Sequence, residues 1–130
     1  MKLEENNILI VDDEDDICEI LRFNLISEGF TADVAHSAEE AFEKNLHAYD
    51  LVLLDVMMGD ISGFNLIQYI RHDKGLSVPV IFLTARTSEE DRRKGIRLGC
   101  DDYITKPFSI NEVLERIKAL LNRSSHKQLI

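Results

Sequence analysis

The feature that most constrains the fold is the run Leu-Val-Leu-Leu at positions 51–54, which leads directly into Asp55. Four apolar residues in a row are too few for a separate helix and are typical of a strand buried on both faces, as in a parallel sheet. A carboxylate at the carboxyl end of such a strand lies where open α/β sheets place their ligand site. Taken alone, an aspartate that ends a strand is more often an ordinary turn residue. Whether Asp55 is a turn residue or part of a ligand site therefore depends on the rest of the chain.

Strand and helix patterns alternate five times along the chain. Short apolar stretches predict strands at 7–11, 31–35, 51–55, 78–83 and 102–105. Apolar residues at helical spacing predict a helix after each strand. The first three helices are marked by Ile17, Ile20, Leu21 and Leu25, by Ala38, Ala41, Phe42 and Leu46, and by Phe64, Ile67 and Ile70. The fourth helix is predicted at 88–98, and the fifth is marked by Ile110, Val113, Leu114, Ile117, Leu120 and Leu121. Capping boxes at 37–40 and 109–112 begin the second and the last helix, and glycines end the first and the fourth.

A chain of 130 residues has the size of one domain. Alternating strands and helices predict an α/β fold, because right-handed crossovers place helices on both faces of a parallel sheet. We therefore expect a flavodoxin-like, doubly wound sheet of five parallel strands in the order 2-1-3-4-5, within a three-layer α/β/α sandwich. The domain is predicted to span residues 1–122, and the polar residues 123–130 are predicted to be a C-terminal tail or the start of a linker.

Charge and composition argue against several classes of protein. A formal net charge of −9 opposes contact with a phosphate backbone, so no direct binding of nucleic acid is expected. No apolar run approaches the roughly 20 residues that cross a bilayer, and residues 1–5 lack the layout of a secretory signal. We expect no membrane association and a cytoplasmic location. The two cysteines, Cys18 and Cys100, fit thiols in a reducing compartment, and the sequence assigns neither a role.

Acidic residues follow both the first and the third strand. In the expected strand order these strands are neighbours, so Asp12 and Asp13 stand beside Asp55 at the switch point of the sheet. Three carboxylates without a counter-charge would raise the pKa of at least one of them, and they therefore predict a hard divalent cation, Mg²⁺ or Mn²⁺. Alone, the acids at 12–16 would serve equally well as the solvated amino end of a helix.

Two more polar side chains end the fourth and fifth strands on the same edge. Thr84 offers a hydroxyl and Lys106 offers an ammonium group. Each alone is more often structural or simply solvated, but together with three acids they suggest a site for phosphoryl transfer. Asp55 would be the nucleophile, with Thr84 and Lys106 contacting the transferred oxygens. The cis or trans state of the Lys106–Pro107 bond stays open, because base rates alone do not favour cis.

The chain resembles the receiver domain of bacterial two-component response regulators over residues 8–121. The motifs that carry the resemblance are Val11-Asp12-Asp13, Asp55-Val56-Met57-Met58, Gly63, Thr84-Ala85-Arg86 and Asp101-Asp102-Tyr103-Ile104-Thr105-Lys106-Pro107-Phe108. The predicted domain of residues 1–122 would then be a CheY-like receiver domain. Such a domain switches a signalling pathway when it is phosphorylated. It is not an enzyme for an external substrate, and it catalyses only its own phosphorylation and dephosphorylation.

The resemblance also implies individual roles. Asp55 would accept the phosphoryl group from a sensor histidine kinase, with Thr84 and Lys106 contacting it. Mg²⁺ would bind Asp12, Asp13, Asp55 and the backbone carbonyl of Met57, and Tyr103 would be the switch aromatic that follows Thr84. One residue departs from the family: Gly59 stands where proline is common, which predicts a more mobile loop after the acceptor.

Charged residues near the last two helices resemble the surface through which winged-helix transcription regulators of the OmpR/PhoB class dimerise on phosphorylation. The residues concerned are Arg92, Asp102, Glu112 and Arg116. The plain alternative is a solvated surface with weak ion pairs. The resemblance implies a homodimer that controls transcription, with DNA bound by a C-terminal output domain; a stand-alone receiver acting through protein contacts is the alternative.

Two other functions fit the sequence less well. A phosphatase with an aspartyl nucleophile, of the haloacid dehalogenase type, would need an Asp-x-Asp motif after the first strand, whereas Asp12 and Asp13 are adjacent. A flavodoxin-type carrier of FMN would need backbone donors in a Ser, Thr and Gly loop there, and the acids at 12–14 would repel a phosphate. Colourless protein would argue against the flavin.

Overall fold

The structure, a computed structural model, describes residues 6–129 and their side chains as far as residue 123. Residues 1–5, on which the prediction about a secretory signal rests, lie outside the described residues. The five strands are β1 (Asn7–Val11), β2 (Thr31–Ala35), β3 (Leu51–Leu54), β4 (Val80–Thr84) and β5 (Asp102–Thr105). The five α-helices are α1 (Asp15–Ser27), α2 (Ala38–Phe42), α3 (Gly63–Gln68), α4 (Glu89–Arg97) and α5 (Ile110–Leu129).

The strands form one parallel sheet in the order β2-β1-β3-β4-β5, so the predicted flavodoxin-like fold is confirmed. The register pairs Val11 with Leu54, and Leu54 in turn with Phe82. Thr84 is paired with Thr105 in the same way. Because all strands point in one direction, this register brings the residues that follow β1, β3, β4 and β5 to one edge of the sheet.

Side chains alternate between the two faces of the sheet and build a core on each. Those on one face pack with α2 and α3 around Phe82 and Tyr103, and the glycine at position 95 lets α4 approach the same two rings. Those on the other face pack against α1 and α5. Every residue of β3 and β4 is buried, which explains the unbroken apolar runs by which the central strands were predicted.

Two helices are shorter than predicted. Helix α2 ends at Phe42, so Leu46 does not extend its inner face but lies in a separate 3₁₀ turn, Leu46–Ala48, where it is still buried. The Asn45 side chain accepts the His47 N–H and so competes with continued helix. Helix α3 ends at Gln68. A π-helical turn, Tyr69–Asp73, follows it directly and contains the predicted core residue Ile70.

Two further boundaries differ from the predictions. Strand β4 begins at Val80 rather than at position 78, because Pro79 has no N–H to donate and the carbonyl of Val78 accepts the Arg71 guanidinium at 2.8 Å. Helix α5 continues to Leu129 instead of ending near Leu121, since no glycine or proline follows to stop it. The predicted tail therefore begins inside this helix, while the predicted domain limits stay a prediction.

Candidate functional site

The three predicted acids lie together at the carboxyl ends of β1 and β3. Backbone bonds across the sheet fix their positions, because the Asp12 N–H donates to Ala35 and the Asp55 N–H donates to Val11. Oxygens of Asp12, Asp13 and Asp55 all lie within 4.8 Å of one another. Asp12 is 2 % and Asp55 6 % exposed, whereas Asp13 faces solvent. Burial raises the pKa of Asp12, and the nearby charge of Asp55 acts in the same direction, against the lowering effect of a hydrogen bond from Lys106.

The loop after Asp55 is shaped by two glycines. The Met57 N–H donates to the Asp55 carboxylate at 3.2 Å, which aims that side chain toward the acid cluster. A Cβ on Gly63 would lie 2.2 Å from the backbone oxygen of Asp55, so only glycine lets α3 begin this close to Asp55. Gly59 has φ +58°, a conformation that proline cannot adopt. With glycine instead of the family's common proline, position 59 can therefore adopt a backbone conformation that proline would exclude. The predicted mobility of this loop stays a prediction.

Lys106 places its ammonium group inside the acid cluster. Its side chain is 13 % exposed, and Nζ lies 2.9 Å from Asp12, 3.0 Å from Glu14 and 3.3 Å from Asp55. Burial alone would lower the pKa of Lys106, but hydrogen bonds to Asp12 and Glu14 and the charge of Asp55 raise it well above its ordinary value. The backbone N–H of Lys106 donates to the Thr84 carbonyl, and the Lys106–Pro107 bond is cis.

Thr84 and Tyr103 are connected through the backbone of Arg86. The buried Thr84 hydroxyl accepts the Arg86 N–H at 3.2 Å. The Tyr103 hydroxyl donates to the Arg86 carbonyl at 2.8 Å, and its ring is buried against Phe82. A displacement of the loop after β4 would therefore reach both predicted switch residues. The Arg86 guanidinium binds both carboxylate oxygens of Asp91 in α4, at 2.8 and 3.1 Å.

The four residues predicted for a dimer surface already contact other groups in the same chain. Arg116 reaches both carboxylate oxygens of Asp102 at 2.6 Å and that of Glu112 at 3.3 Å. Arg92 lies over the ring of Tyr103, with its guanidinium carbon 5.2 Å from the ring centroid. The ion pairs of Arg116 connect β5 with α5, and Arg92 of α4 contacts Tyr103, the predicted switch aromatic.

The donor set at the acid cluster fits a hard divalent cation. Three carboxylates meet at one point, one of them exposed to solvent, and their oxygens are the ligands that Mg²⁺ prefers. Asp12, Asp13 and Asp55 would hold the ion, with the backbone carbonyl of Met57 as the fourth protein ligand that the resemblance implies.

Glu14 is a residue of the site that was not predicted from the sequence. It lies in the acidic run 12–16, and nothing in composition distinguishes it from Asp15 or Asp16. Only the three-dimensional position of Lys106, which comes from the far end of the sheet, singles it out. In the structure the Glu14 N–H donates to the Asp12 carboxylate at 2.9 Å, a turn that an aspartate two residues earlier favours.

Comparisons with known proteins agree with this architecture. The family model of the response regulator receiver domain matches residues 8–118. The chain is 47 % identical over 122 residues to "Transcriptional regulatory protein ResD" of Bacillus subtilis and 39 % identical over 124 residues to "Response regulator ArlR" of Staphylococcus aureus. These matches cover 93 % and 95 % of this chain but 50 % and 56 % of the relatives. The chain thus spans about half the length of the curated relatives that it matches.

A solved structure, that of the Francisella response regulator 1452 receiver domain, superposes with a TM-score of 0.85 at 34 % identity. The superposition covers 92 % of this chain and 99 % of that domain. The similarity therefore extends over a whole receiver domain. Among the described residues, no helix is both long and apolar enough to cross a membrane.

Proposed function

The chain belongs to the response regulator receiver domain family, and on that premise we propose that Asp55 accepts a phosphoryl group from a sensor histidine kinase with the help of Mg²⁺. The modification would switch the surface formed by α4, β5 and α5. Apart from its own phosphorylation and dephosphorylation, the domain would catalyse no reaction. The observation that supports this proposal best is the convergence of three carboxylates, those of Asp12, Asp13 and Asp55, with the ammonium group of Lys106 at a single sheet edge.

Position favours Asp55 as the nucleophile over the two other acids. Its carboxylate leaves the central strand of the sheet and is 6 % exposed, while Lys106 lies 3.3 Å away. By the resemblance, Asp12 and Asp13 would serve only as metal ligands, whereas Asp55 would contact the metal and also be aimed in line at phosphorus. Asp55 would therefore carry the phosphoryl group.

The other residues would stabilise the charge that moves with the phosphoryl group. Bound Mg²⁺ supplies positive charge beside the transferring oxygens. Lys106 would donate a hydrogen bond to one of these oxygens, and the Thr84 hydroxyl would donate to another after the loop moves toward it. The Tyr103 hydroxyl shares the Arg86 backbone with Thr84, so the same movement would change the environment of Tyr103.

The output would be a change in self-association. Part of the polar contacts within the chain would be exchanged for contacts with a second copy of the domain. The residues concerned are Arg92, Asp102, Glu112 and Arg116. Because a matched relative is named a transcriptional regulatory protein and this chain spans half its length, we propose that the receiver controls a C-terminal output domain of the OmpR/PhoB winged-helix class. DNA would be bound there and not by this acidic segment. A stand-alone receiver acting through protein contacts is the second candidate.

The proposal is tested by intact-mass analysis after incubation with acetyl phosphate and Mg²⁺. We expect wild-type protein to gain about 80 Da, the mass of one phosphoryl group, and Asp55→Asn to gain nothing, because the amide keeps the size of the side chain but removes the nucleophile. Lys106→Ala should still be labelled in part and lose the response of Tyr103. The matched control is Asp60→Asn, which removes a carboxylate from the exposed part of the same loop.

Three outcomes would contradict the proposed function, and each points to a different alternative. An Asp55→Asn protein that still gains one phosphoryl group would move the acceptor to another acid and refute the mechanism. Wild-type protein that hydrolyses a phosphate ester of an external substrate would favour the phosphatase alternative. Absorbance of the purified protein near about 450 nm, where an enclosed FMN would absorb, would favour the flavin alternative.

A further inference from the structure

Lys106 is fully engaged before any phosphoryl group arrives. An ammonium group has three N–H donors, and Nζ has three carboxylate partners, at 2.9 Å on Asp12, 3.0 Å on Glu14 and 3.3 Å on Asp55. A hydrogen bond to a phosphoryl oxygen therefore requires that one of these three contacts be given up or shared. The chemistry of the site depends on which contact is lost.

The three partners differ in how easily they can release the ammonium group. The side chains of Asp12 and Asp55 are 3 % and 7 % exposed, so water can hardly replace a contact with Lys106 that either of them loses. The Glu14 side chain is 59 % exposed, and water replaces its lost contact at little cost. Asp12 is also held as a proposed metal ligand, and Asp55 is the group to be modified. Glu14 is thus the partner that can leave.

We propose that Glu14 is a positioning residue that holds Lys106 in the unphosphorylated state and is exchanged for a phosphoryl oxygen when Asp55 is modified. This inference rests on the proposed function of the same site. Glu14 lies immediately before α1, and its backbone N–H donates to the carboxylate of Asp12, so its position follows from the same turn that places the metal ligands. The side chain competes with the phosphoryl group for one donor and sets how readily the domain is activated.

The proposed exchange predicts that removing the charge of Glu14 makes modification of Asp55 more favourable. The Glu14 carboxylate stabilises the unmodified state through Lys106 and places a negative charge where an anionic phosphodonor must approach. Removing that charge favours the modified state on both grounds. Glu14→Gln keeps the size of the side chain and weakens the contact, so it should increase the affinity for beryllofluoride, which mimics the phosphoryl group on Asp55.

The experiment is a titration of beryllofluoride in the presence of Mg²⁺, followed by the ¹⁹F signal of the bound anion. Glu14→Gln should lower the half-saturating concentration by about two- to fivefold, the range for one partly exposed ion pair. Asp16→Asn is the matched control, because it removes an exposed negative charge from the first turn of α1. It should produce a clearly smaller change.

A double-mutant cycle separates this role from a general charge effect. In the Lys106→Ala background, Glu14→Gln should shift the titration no more than Asp16→Asn does. If Lys106→Ala binds too weakly to be titrated, the two single variants decide. An unchanged or weakened affinity in Glu14→Gln, or equal shifts in Glu14→Gln and Asp16→Asn, would overturn the inference. Wild-type protein that binds no beryllofluoride would instead contradict the proposed function itself.

Discussion

Asp12 and Asp55 come from different strands, yet hydrogen bonds hold their carboxylates in the same way. Each has one oxygen bonded to the backbone N–H two residues further along, at 2.9 Å for Asp12 and 3.2 Å for Asp55. Each has its other oxygen bonded to Lys106. Asp13 differs from both because it is exposed to solvent. The cluster thus combines two positioned carboxylates with one open to water, as a hydrated Mg²⁺ requires.

The first prediction concerns Asp13. Asp13→Ala should weaken Mg²⁺ binding more than about tenfold, because a direct ligand contributes at least as much as the outer-shell groups that orient ligands. Calorimetric titration of the apo protein measures the effect, with Asp16→Ala as the control variant. Millimolar Mg²⁺ should also raise the melting temperature of wild-type protein, since the ion relieves repulsion among native-state carboxylates. Unchanged Mg²⁺ affinity in Asp13→Ala would place the ion elsewhere.

The second prediction concerns the cysteines. Burial raises the pKa of the Cys18 thiol to about 12 and that of Cys100 to about 11, with nearby aspartates adding to both effects. At pH 8 both pKa values lie above the pH, so the reactive thiolate is a small fraction of either residue. Native protein should react with iodoacetamide far more slowly than unfolded protein, as intact mass will show. Rapid alkylation of the native protein at pH 8 would contradict this environment.

At the scale of elements, sequence patterns predicted the fold well where burial alone decides. β3 and β4 are buried on both faces, and their unbroken apolar runs were enough to place them at the centre of the sheet. The bounds of β1, β2 and β5 were predicted correctly, whereas the ends of α2, α3 and α5 and the start of β4 were not. The early end of α2 at Phe42 depends on the Asn45 side chain, and the late end of α5 at Leu129 depends on the absence of a stop signal. Apolar spacing reports neither effect.

The candidate site shows the same division. The acids Asp12, Asp13 and Asp55 were predictable because β1 and β3 are neighbours in the expected strand order. The contacts of Lys106 with both Glu14 and Asp55 were not predictable, because they depend on where a long side chain from the end of β5 reaches. Periodicity identifies the strand that carries a side chain. It does not identify the atoms that the tip of the side chain contacts.

Arg71 is the clearest structural residue that the sequence analysis missed. Its guanidinium is 17 % exposed and donates to the carbonyls of Leu76 and Val78 at 2.9 and 2.8 Å, and twice to that of Gly99. It also contacts the Asp101 carboxylate at 3.2 Å. Burial lowers the pKa of Arg71, with Asp101 opposing that change. One side chain thus joins the end of α3 to the loops before β4 and β5.

The third prediction concerns this residue. Arg71→Met keeps an apolar stem but leaves the loop carbonyls without their donor, so we expect it to lower the free energy of unfolding by about 3 kcal/mol. Urea unfolding measures the loss. The control is Lys74→Met, which changes an exposed cation one turn further along, and it should change stability by less than about 0.5 kcal/mol. Equal effects in the two variants would mean that Arg71 acts only through its charge.

At the scale of the whole molecule, the proposed phosphoryl site and the proposed dimer surface share strand β5. Lys106 follows β5, and Asp102 begins the same strand. Tyr103 contacts the Arg86 carbonyl on one side and the Arg92 guanidinium on the other. A change at Thr84 can therefore reach the surface through Arg86 and Tyr103, without movement of the sheet. This route predicts that phosphorylation and self-association can be separated by substitutions on the surface alone.

The last prediction tests that separation. Arg92→Glu should weaken dimerisation of the beryllofluoride-activated protein while labelling of Asp55 by acetyl phosphate continues, because Arg92 contacts Tyr103 and none of the three acids in the cluster. Sedimentation velocity at tens of micromolar measures the dimer, and a loss of about tenfold in affinity is expected for reversing one charge of a contact pair. Glu112→Arg in the same protein should restore association if these two residues meet across the interface.

Two control variants keep this last prediction falsifiable. Lys44→Glu makes the same charge change just after α2, on the side of the sheet away from β5, and should dimerise like wild type. Arg92→Gln removes the guanidinium from the Tyr103 ring without adding a negative charge, so it should weaken the dimer less than Arg92→Glu. Activated wild-type protein that stays monomeric would end the proposal of a dimer on this surface. Equal losses in Arg92→Glu and Lys44→Glu would show that net charge, and not this contact, controls association.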